Sequence, residues 1–308
     1  MKDDETDPVF MEALEWLARM QDEKASAGER AAFAEWIAAS RQNADAYDRA
    51  ERLWSRFDIV KPEYQRLRRA DALTRRGVLL GGVAVLVLGG GYLALRPDLF
   101  ADLATGIGER RVFTLADGST AELGSYSALS VRYTEGERRL VLHRGQGFFT
   151  VVANVDRPFV VEAAAGTIRA LGTRFDVKLT EDEVTVTVTE HSVRVTSVDA
   201  AAVTIEEGWQ VSYDPHGVGS PQRIDTETAV AWRRDRIVFE DVPLRRVLKE
   251  LERYRRGRIV LMDDTVGAIP VTAIFETSRA DDALRVIAET LPIRVINAGG
   301  FVSIVYRR

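Results

Sequence analysis

The chain of 308 residues contains no cysteine. Disulfide bonds, thiolate metal sites and a cysteine nucleophile are therefore excluded. Histidine is also scarce, and the three that occur, His143, His191 and His216, lack the spacing of metal ligands. We therefore expect no metal and no cofactor. The formal net charge is only −5, which does not favour nucleic acid as a direct partner.

The sequence also lacks a recognisable catalytic constellation. No Ser-His-Asp set, pair of carboxylates or metal-ligand cluster stands out. The adjacent acids Asp263-Asp264 and Asp281-Asp282 are explained by loops and helix N-termini, where negative charge is favourable. We therefore do not expect an enzyme that turns over a substrate.

One long apolar run stands out in a chain that is 29% charged. The 19 residues 77–95 include no charged side chain. As a helix they would span about 28 Å, close to the ~30 Å hydrocarbon core of a bilayer. The run is apolar on every side, and its glycines are common in membrane spans. It predicts a single transmembrane helix.

Basic residues are concentrated just before this run. Residues 59–76, a basic neck, carry six basic and two acidic groups. The positive-inside rule therefore predicts a cytoplasmic N-terminus and an exported C-terminal part. We expect Arg75 and Arg76 to anchor this topology, although Thr74-Arg75-Arg76-Gly77 also loosely resembles a twin-arginine export signal. The neck would lie against anionic headgroups of the membrane.

Residues 1–58 are predicted to form a small all-α bundle of three helices. Ser26 and Glu29 have the spacing of a capping box, and Asn43 is a candidate N-cap for the third helix. One tryptophan falls on each apolar stripe, and these are Trp16, Trp36 and Trp54. They build a small core with rims that suit a protein partner. Fourteen acidic groups against eight basic ones favour a basic protein rather than DNA.

Beyond the apolar run the periodicity changes from helical to alternating. Residues 184–189 read VTVTVT, and turn signals such as Asp117-Gly118 separate further alternating stretches. This pattern predicts an all-β, antiparallel domain over residues 110–224. A linker at residues 96–109 would connect it to the span.

The last part, residues 232–308, is predicted to be an α+β module with the element order β-α-β-β-α-β-β. It is too small to house a sizeable active site and suits docking through a strand edge or a helix face. The helical stripe that we assign to partner binding consists of Leu244, Leu248 and Leu251.

Four segments resemble, in order, the FecR family of bacterial membrane-anchored anti-sigma regulators. They are Asp-Gly-Ser at 117–119, Gly-Gln-Gly-Phe-Phe at 145–149, Arg-Pro-Phe at 157–159 and Leu-Gly-Thr-x-Phe at 171–175. The N-terminal helices are similar to the sigma-binding domain of that family. The C-terminal module is similar to the short domain at the N-termini of secretins and TonB-dependent transducers. The resemblance covers nearly the whole chain.

The resemblance implies a relay across the inner membrane. The cytoplasmic helices would hold an extracytoplasmic-function sigma factor. The periplasmic part would contact the signalling domain of an outer-membrane TonB-dependent transducer, commonly one that regulates iron uptake. Regulated proteolysis by periplasmic and intramembrane proteases would then free the N-terminal part with its sigma factor.

The resemblance also implies a chemical hypothesis at Gly172-Thr173. Some members of the family are thought to cleave themselves at this step by an N-to-O acyl shift. A threonine hydroxyl can attack the preceding carbonyl if the peptide bond is strained. Asp176 or His191 would be candidates to assist. The alternative is that Gly172 permits a tight turn and Thr173 belongs to a strand.

Two other classes of protein stay open. The first is a membrane-anchored periplasmic hydrolase, for which the sequence offers no catalytic set. The second is an envelope-assembly protein, because secretin-type modules also build rings. Co-purification with a sigma factor would favour the regulator, whereas self-assembly without one would favour the assembly protein.

Overall fold

The computed structural model describes residues 7–20, 26–58, 101–197, 201–298 and 302–308. Within these residues no helix is long and apolar enough to cross a bilayer. The predicted span, the basic neck, Arg75 and Arg76 lie outside the described residues.

Three helices form the N-terminal part, as the sequence predicts. They are α1 (Pro8–Met20), α2 (Ala27–Ala39) and α3 (Arg41–Asp58). Helix α1 buries its apolar stripe, whereas α2 has no fully buried residue. The Ser26 hydroxyl accepts the Glu29 amide at 3.2 Å, as expected for the capping box. Helix α3 begins before the predicted cap, because the hydroxyl of Ser40 accepts the Asn43 amide at 3.0 Å.

The described residues between 101 and 223 form a large β domain. Its strands are β1 (Leu103–Ala104), β2 (Arg111–Thr114), β3 (Thr120–Leu123), β4 (Ala128–Tyr133), β5 (Arg138–Thr150), β6 (Phe159–Ala163), β7 (Gly166–Ala170), β8 (Arg174–Leu179), β9 (Val184–Glu190), β10 (Ser192–Ser197), β11 (Val203–Glu206), β12 (Trp209–Asp214), β13 (Gly217–Val218) and β14 (Gln222–Arg223).

The long strand β5 belongs to two sheets. Its first half pairs with β4 and β6, and its second half pairs with β3 and β8. One sheet has the order β11-β10-β7-β6-β5-β4-β1, and the other continues through β2-β3-β5-β8-β9-β12. Gly145 stands where the strand changes sheets, with φ of +88°. A Cβ there would come within 2.6 Å of the Ser127 Cα, so the position requires glycine.

The prediction of a purely antiparallel domain is wrong at one pairing. Strands β5 and β6 run parallel, with Arg138 opposite Phe159. A parallel pair needs a crossover connection. The second half of β5 and the loop that follows it carry the chain through the other sheet before β6 begins.

The two sheets enclose one apolar core. Phe149 lies within it, and its ring centroid is 5.9 Å from that of Phe159 and 5.3 Å from that of Phe175. All three rings are fully buried. Each contributes about 1.5–3 kcal/mol through burial, so this core is the main source of stability in the domain.

The described residues from 226 to 308 add a linker and an α+β module. They contain α4 (Thr226–Ala229), a 3₁₀ turn (Ala231–Arg234), β15 (Arg236–Pro243), α5 (Leu244–Glu252), β16 (Arg258–Leu261), α6 (Asp264–Gly267), β17 (Pro270–Glu276), a second 3₁₀ turn (Thr277–Arg279), α7 (Ala280–Thr290), β18 (Ile293–Ala298) and β19 (Val302–Arg307). Strand β15 pairs with β17, and β16-β19-β18 form a separate sheet. The short α6 and the second 3₁₀ turn are additions to the predicted order.

The two ends of the described chain meet. Val302, Ile304 and Tyr306 of β19 share an apolar cluster with Phe10 and other residues of α1. The Tyr306 hydroxyl also lies 3.4 Å from Oε1 of Glu15. One face of the β16-β19-β18 sheet is therefore covered by the N-terminal helices.

Candidate functional site

The predicted tryptophans of the helical bundle form part of an aromatic patch. Trp16 of α1 and Trp36 of α2 are half-buried, with ring centroids 6.3 Å apart. Phe33 packs against Trp16 at 5.9 Å, and the Arg19 guanidinium lies 5.0 Å from the Trp16 ring. Trp54 belongs to α3, but its side chain lies outside the described residues. We call Trp16, Phe33 and Trp36 the aromatic patch.

The patch has the properties of a protein-binding surface. Phe33 is held on one side by Tyr47, at 4.8 Å between ring centroids. No residue of α2 is fully buried, so this helix covers the bundle on one side and faces outward on the other. Partly exposed aromatic side chains on a rigid support are typical of interface anchors.

The leucines assigned to partner binding occupy a different place. Leu244, Leu248 and Leu251 are at most 3% exposed and lie in the core of the module. They cannot contact a partner while the module is folded, so the sequence-based assignment is corrected. A helix in a small α+β unit has to bury its apolar stripe against its own sheet. The side of α5 that faces outward carries Arg245 and Arg246 instead.

The Gly172-Thr173 step lies between β7 and β8. Gly172 has φ of +156°, and a Cβ there would lie 2.8 Å from the Cβ of Ala153. Thr173 is 5% exposed, and its hydroxyl has no hydrogen-bond partner among the described groups. A buried hydroxyl without a partner is unfavourable and rare. The amide nitrogen of Thr173 is bonded to the carbonyl carbon of Gly172, so this hydroxyl belongs to the residue directly after that carbonyl.

The two groups expected to assist Thr173 are not bonded to it. The carboxylate of Asp176 accepts hydrogen bonds from Gln146 at 2.9 Å and from Trp232 at 3.0 Å. His191 is exposed and sits in the turn between β9 and β10 with φ of +63°. The described residues therefore supply a nucleophile without a base in hydrogen-bond contact.

A cluster of buried and half-buried polar side chains lies where the module meets the β domain, and we call it the charged joint. Its members are Gln146, Asp176 and Lys178 of the β domain, Trp232 of the linker, and Glu250 and Arg253 of the module. None of these residues was predicted as a joint between the two domains.

Glu250 is the centre of the joint on the side of the module. It accepts the Lys178 ammonium and, at 3.0 Å, the Arg253 guanidinium. Arg253 also donates to the Oε1 of Gln146 at 3.1 Å. Burial raises the pKa of Glu250, but the charges of Arg253 and Lys178 outweigh this effect and lower the pKa to about 2. Glu250 is thus a carboxylate at any physiological pH.

Asp176 is the acidic group on the side of the β domain. Burial raises the pKa of Asp176 to about 6, against the opposing effect of the hydrogen bonds from Gln146 and Trp232. Trp232 also packs with Phe148 and Val230 in a small cluster separate from the β-domain core. The linker is therefore anchored to the β domain by both polar and apolar contacts.

The histidines lie at three separate places in the β domain. His143 on β5 bonds through Nε2 to the Ser130 hydroxyl at 2.8 Å, whereas His191 and His216 occupy different turns. Across the part of the chain that the structure describes, no cluster of His, Asp and Glu could hold a metal ion.

Sequence comparison identifies the family. Residues 101–194, which contain most of the β domain, match the family model named FecR protein. Residues 11–53, which lie in the helical bundle, match a model named Domain of unknown function (DUF4880). The chain is thus a FecR-family protein, and the predicted resemblance is confirmed. No curated protein matches the chain in sequence.

Solved structures share the fold. Two crystal structures of a protein assigned as an anti-sigma factor from Parabacteroides distasonis ATCC 8503, at 1.65 and 2.50 Å resolution, align with a TM-score of 0.59. Each alignment covers 67% of this chain and 98% of the other chain at 20% sequence identity. At this identity the likeness shows the fold alone.

Proposed function

We propose that this chain is a sigma regulator whose N-terminal helices bind an extracytoplasmic-function sigma factor. Membership of the FecR family supports this role, and so does the fold shared with a protein assigned as an anti-sigma factor. The observation that carries the proposal is the aromatic patch on the bundle. It presents Trp16 and Trp36 half-exposed within a region that has fourteen acidic groups and eight basic ones.

The charge of this region favours a partner with a basic surface. Sigma factors bind promoter DNA and so carry such surfaces, which an acidic bundle could cover. The half-exposed aromatic rings would then provide most of the affinity, since aromatic anchors dominate interface energetics. The bundle thus competes with nucleic acid rather than binding it.

Affinity capture of the full chain tests this role. We expect a sigma factor to co-purify with the wild-type chain. The amount recovered should be at least tenfold lower with the Trp36→Ala chain. Trp209→Ala is a matched control, because Trp209 is a partly exposed tryptophan of the β domain. Recovery of no sigma factor, or equal recovery from both variants, would contradict the proposal.

We also propose that residues 77–95 cross the inner membrane, with the N-terminus in the cytoplasm. The uncharged run and the basic residues before it support this topology. The contact between α1 and β19 cannot exist in a molecule whose bundle and module lie on opposite sides of a bilayer. Insertion would therefore uncover the outer face of the module and the face of α1 that it covers.

A cysteine pair can separate these two arrangements. Glu15 and Tyr306 are in contact, and the chain contains no native cysteine. A chain with Glu15→Cys and Tyr306→Cys should crosslink in detergent micelles, where both ends share one solution. In intact cells it should not crosslink if the span is inserted. Crosslinking in cells, or a phosphatase reporter at Arg308 that stays inactive, would contradict the topology.

In this arrangement the module and the β domain would bind the signalling domain of an outer-membrane transducer in the periplasm. The module is separate from the bundle along the chain, and its sheet would offer a free apolar face after insertion. Proteolysis in the periplasm and then within the membrane would release the bundle with its sigma factor. A transducer signalling domain should bind the full chain, and Ile304→Asp should weaken that binding if this face is used.

A second activity is suggested by Thr173, whose buried hydroxyl has no partner. In an N-to-O acyl shift, Oγ1 forms a bond to the carbonyl carbon of Gly172 while the C–N bond breaks. The hydroxyl proton passes to the released amine of Thr173. Water then hydrolyses the ester, which leaves a carboxylate on Gly172 and the hydroxyl on Thr173. No cofactor is needed for this single turnover.

A denaturing gel tests self-cleavage. Denaturation is needed because the products 1–172 and 173–308 would still be paired through β5–β8 and β7–β10. We expect two bands from the wild-type chain and from Thr173→Ser, which keeps a hydroxyl, but one band from Thr173→Ala. A single wild-type band after prolonged incubation would contradict self-cleavage. Gly172 would then be needed only for the conformation of the turn.

A further inference from the structure

The β domain and the module share little apolar contact. Each core is built from its own residues, and the two buried clusters have no member in common. Between them lie the charged joint and the small cluster of Phe148, Val230 and Trp232. Such a junction resembles a transient interface more closely than a domain core.

Further ion pairs extend the joint beside α5. Lys249 contacts Asp182, and Arg258 approaches Glu181 at 3.4 Å. These side chains are largely exposed, and such pairs add little stability. The half-buried pairs around Glu250 also add little net stability, because desolvation offsets their attraction. The closed contact is therefore only weakly favoured over an open one.

The linker keeps its place through contacts that do not involve the module. Trp232 is 5% exposed within the β domain. The guanidinium of Arg233 lies 3.7 Å from the ring centre of Phe148 and donates to Glu122 at 2.7 Å. Asp235, directly before β15, has φ of +58° and ends the 3₁₀ turn. The anchored linker thus ends at a residue where the chain changes direction.

Two bridges connect the joint region to residues 105–110, which follow the predicted span. The Ser125 hydroxyl donates to the Arg253 carbonyl at 2.6 Å and accepts the Gly108 amide at 2.8 Å. Arg110 donates to both carboxylate oxygens of Asp235, at 3.0 and 3.1 Å. The first bridge connects the module to this segment through Ser125, and the second connects the segment to Asp235 at the end of the linker.

We propose that the charged joint is a latch at which the module swings away from the β domain about Asp235, and that opening it loosens residues 105–110. Trp232 keeps its contacts with Phe148 and Asp176, so the linker stays bound to the β domain. The motion needs no partner, and only its use as a signal rests on the proposed function. A force on the module would act on residues 105–110, which begin ten residues after the predicted span, without unfolding the β domain.

Amide hydrogen exchange of the full chain in detergent micelles tests the latch. Glu250→Gln removes the counter-charge of the half-buried Lys178 and Arg253, which disfavours the closed contact. We expect exchange in residues 105–110 and in α5 to rise by about tenfold or more. Exchange in β6 and β7 should not change.

The control removes two ion pairs of the same module outside the joint. Asp282→Asn breaks the exposed pairs with Arg279 and Arg285 on α7 and should leave exchange in residues 105–110 unchanged. Unchanged exchange in Glu250→Gln at residues 105–110 would overturn the proposal. A rise spread evenly over the whole β domain would overturn it as well, because the two units would then open together.

A locked variant keeps the test decisive if Glu250→Gln fails to fold. Cysteines at Asp182 and Lys249, joined by a short bismaleimide, should hold the module shut without touching the buried part of the joint. Exchange in residues 105–110 and in α5 should then fall by about tenfold relative to the unlinked chain. Equal exchange in the linked and unlinked chains would show that no latch opens.

Discussion

The β domain and the C-terminal module complete their cores in different ways. The apolar core of the β domain is made entirely from its own strands and the turns between them. The module has a core of its own, but the other face of its β16-β19-β18 sheet is covered by helices from the opposite end of the chain. The β domain therefore does not depend on the rest of the chain for its core, whereas the module loses the cover of one sheet face when the N-terminal helices leave it. A core substitution in the β domain should affect that domain alone. A substitution on the shared face of the module should also affect the helices.

The largest effect is expected in the closed core. Phe149→Ala removes a fully buried ring that contacts Phe159 and Phe175. We expect the free energy of unfolding of the β domain to fall by about 3–5 kcal/mol, measured by calorimetry. Amide exchange in α1 should stay as it was. Val155→Ala, at a residue that is 75% exposed, is the control and should change little.

The shared face should behave in the opposite way. Ile304→Ala removes a residue that is 3% exposed and packs in the cluster containing α1. We expect a loss of about 2–4 kcal/mol in micelles, accompanied by faster amide exchange in α1. The control Ile274→Ala lies in the same module but is 64% exposed. Unchanged exchange in α1 would mean that the bundle does not rest on this sheet in solution.

The sequence predicted elements well where the signal is local. The apolar stripe of α1, the capping box at Ser26 and the alternation of β9 all depend on residues a few positions apart. Pairing depends on contacts across the chain, so the parallel β5–β6 pair was missed. The third helix begins at Arg41, directly after Ser40, because serine competes well with Asn43 as a cap, which spacing alone could not decide.

The candidate sites show the same division. Helical spacing put Trp16 and Trp36 on the apolar stripes of their helices, and in the structure the two rings lie side by side and half-buried. Their binding of a partner stays a prediction. The stripe containing Leu248 was found too, but periodicity cannot tell an inward face from an outward one. The ion pair of Lys178 and Glu250 gives no sequence signal, since the two residues are far apart in an otherwise highly charged chain. Only the fold brings them together.

The joint between the two units should respond to pH through Asp176. Its pKa in the folded chain is about 6, above the ordinary value of 3.8, because burial disfavours the carboxylate. The folded state therefore binds the proton more tightly than the unfolded state. The stabilising contribution of the proton on Asp176 is complete below pH 3.8 and is lost as pH rises through 6. The difference between the two pKa values corresponds to about 3 kcal/mol in the free energy of unfolding.

The charged and titratable groups around Asp176 are Lys178, Glu250, Arg253 and Tyr254. Stability measured from pH 4 to 7 should fall with rising pH in the wild-type chain and less steeply in Asp176→Asn. Lys249→Ala, at the exposed edge, should keep the wild-type slope. Parallel curves for the wild-type and Asp176→Asn chains would show that Asp176 titrates normally.

The smallest expected effect is in α2, which has no fully buried residue and so depends more on local interactions than α1 does. Ser26→Ala removes the hydroxyl that accepts the Glu29 amide, and should cost about 1 kcal/mol of bundle stability. Glu29→Gln keeps an acceptor for the Ser26 amide and should retain most of the cap. Amide exchange at the start of α2 measures both changes. If Ser26→Ala left that exchange unaltered, packing against α1 and α3 alone would hold the helix.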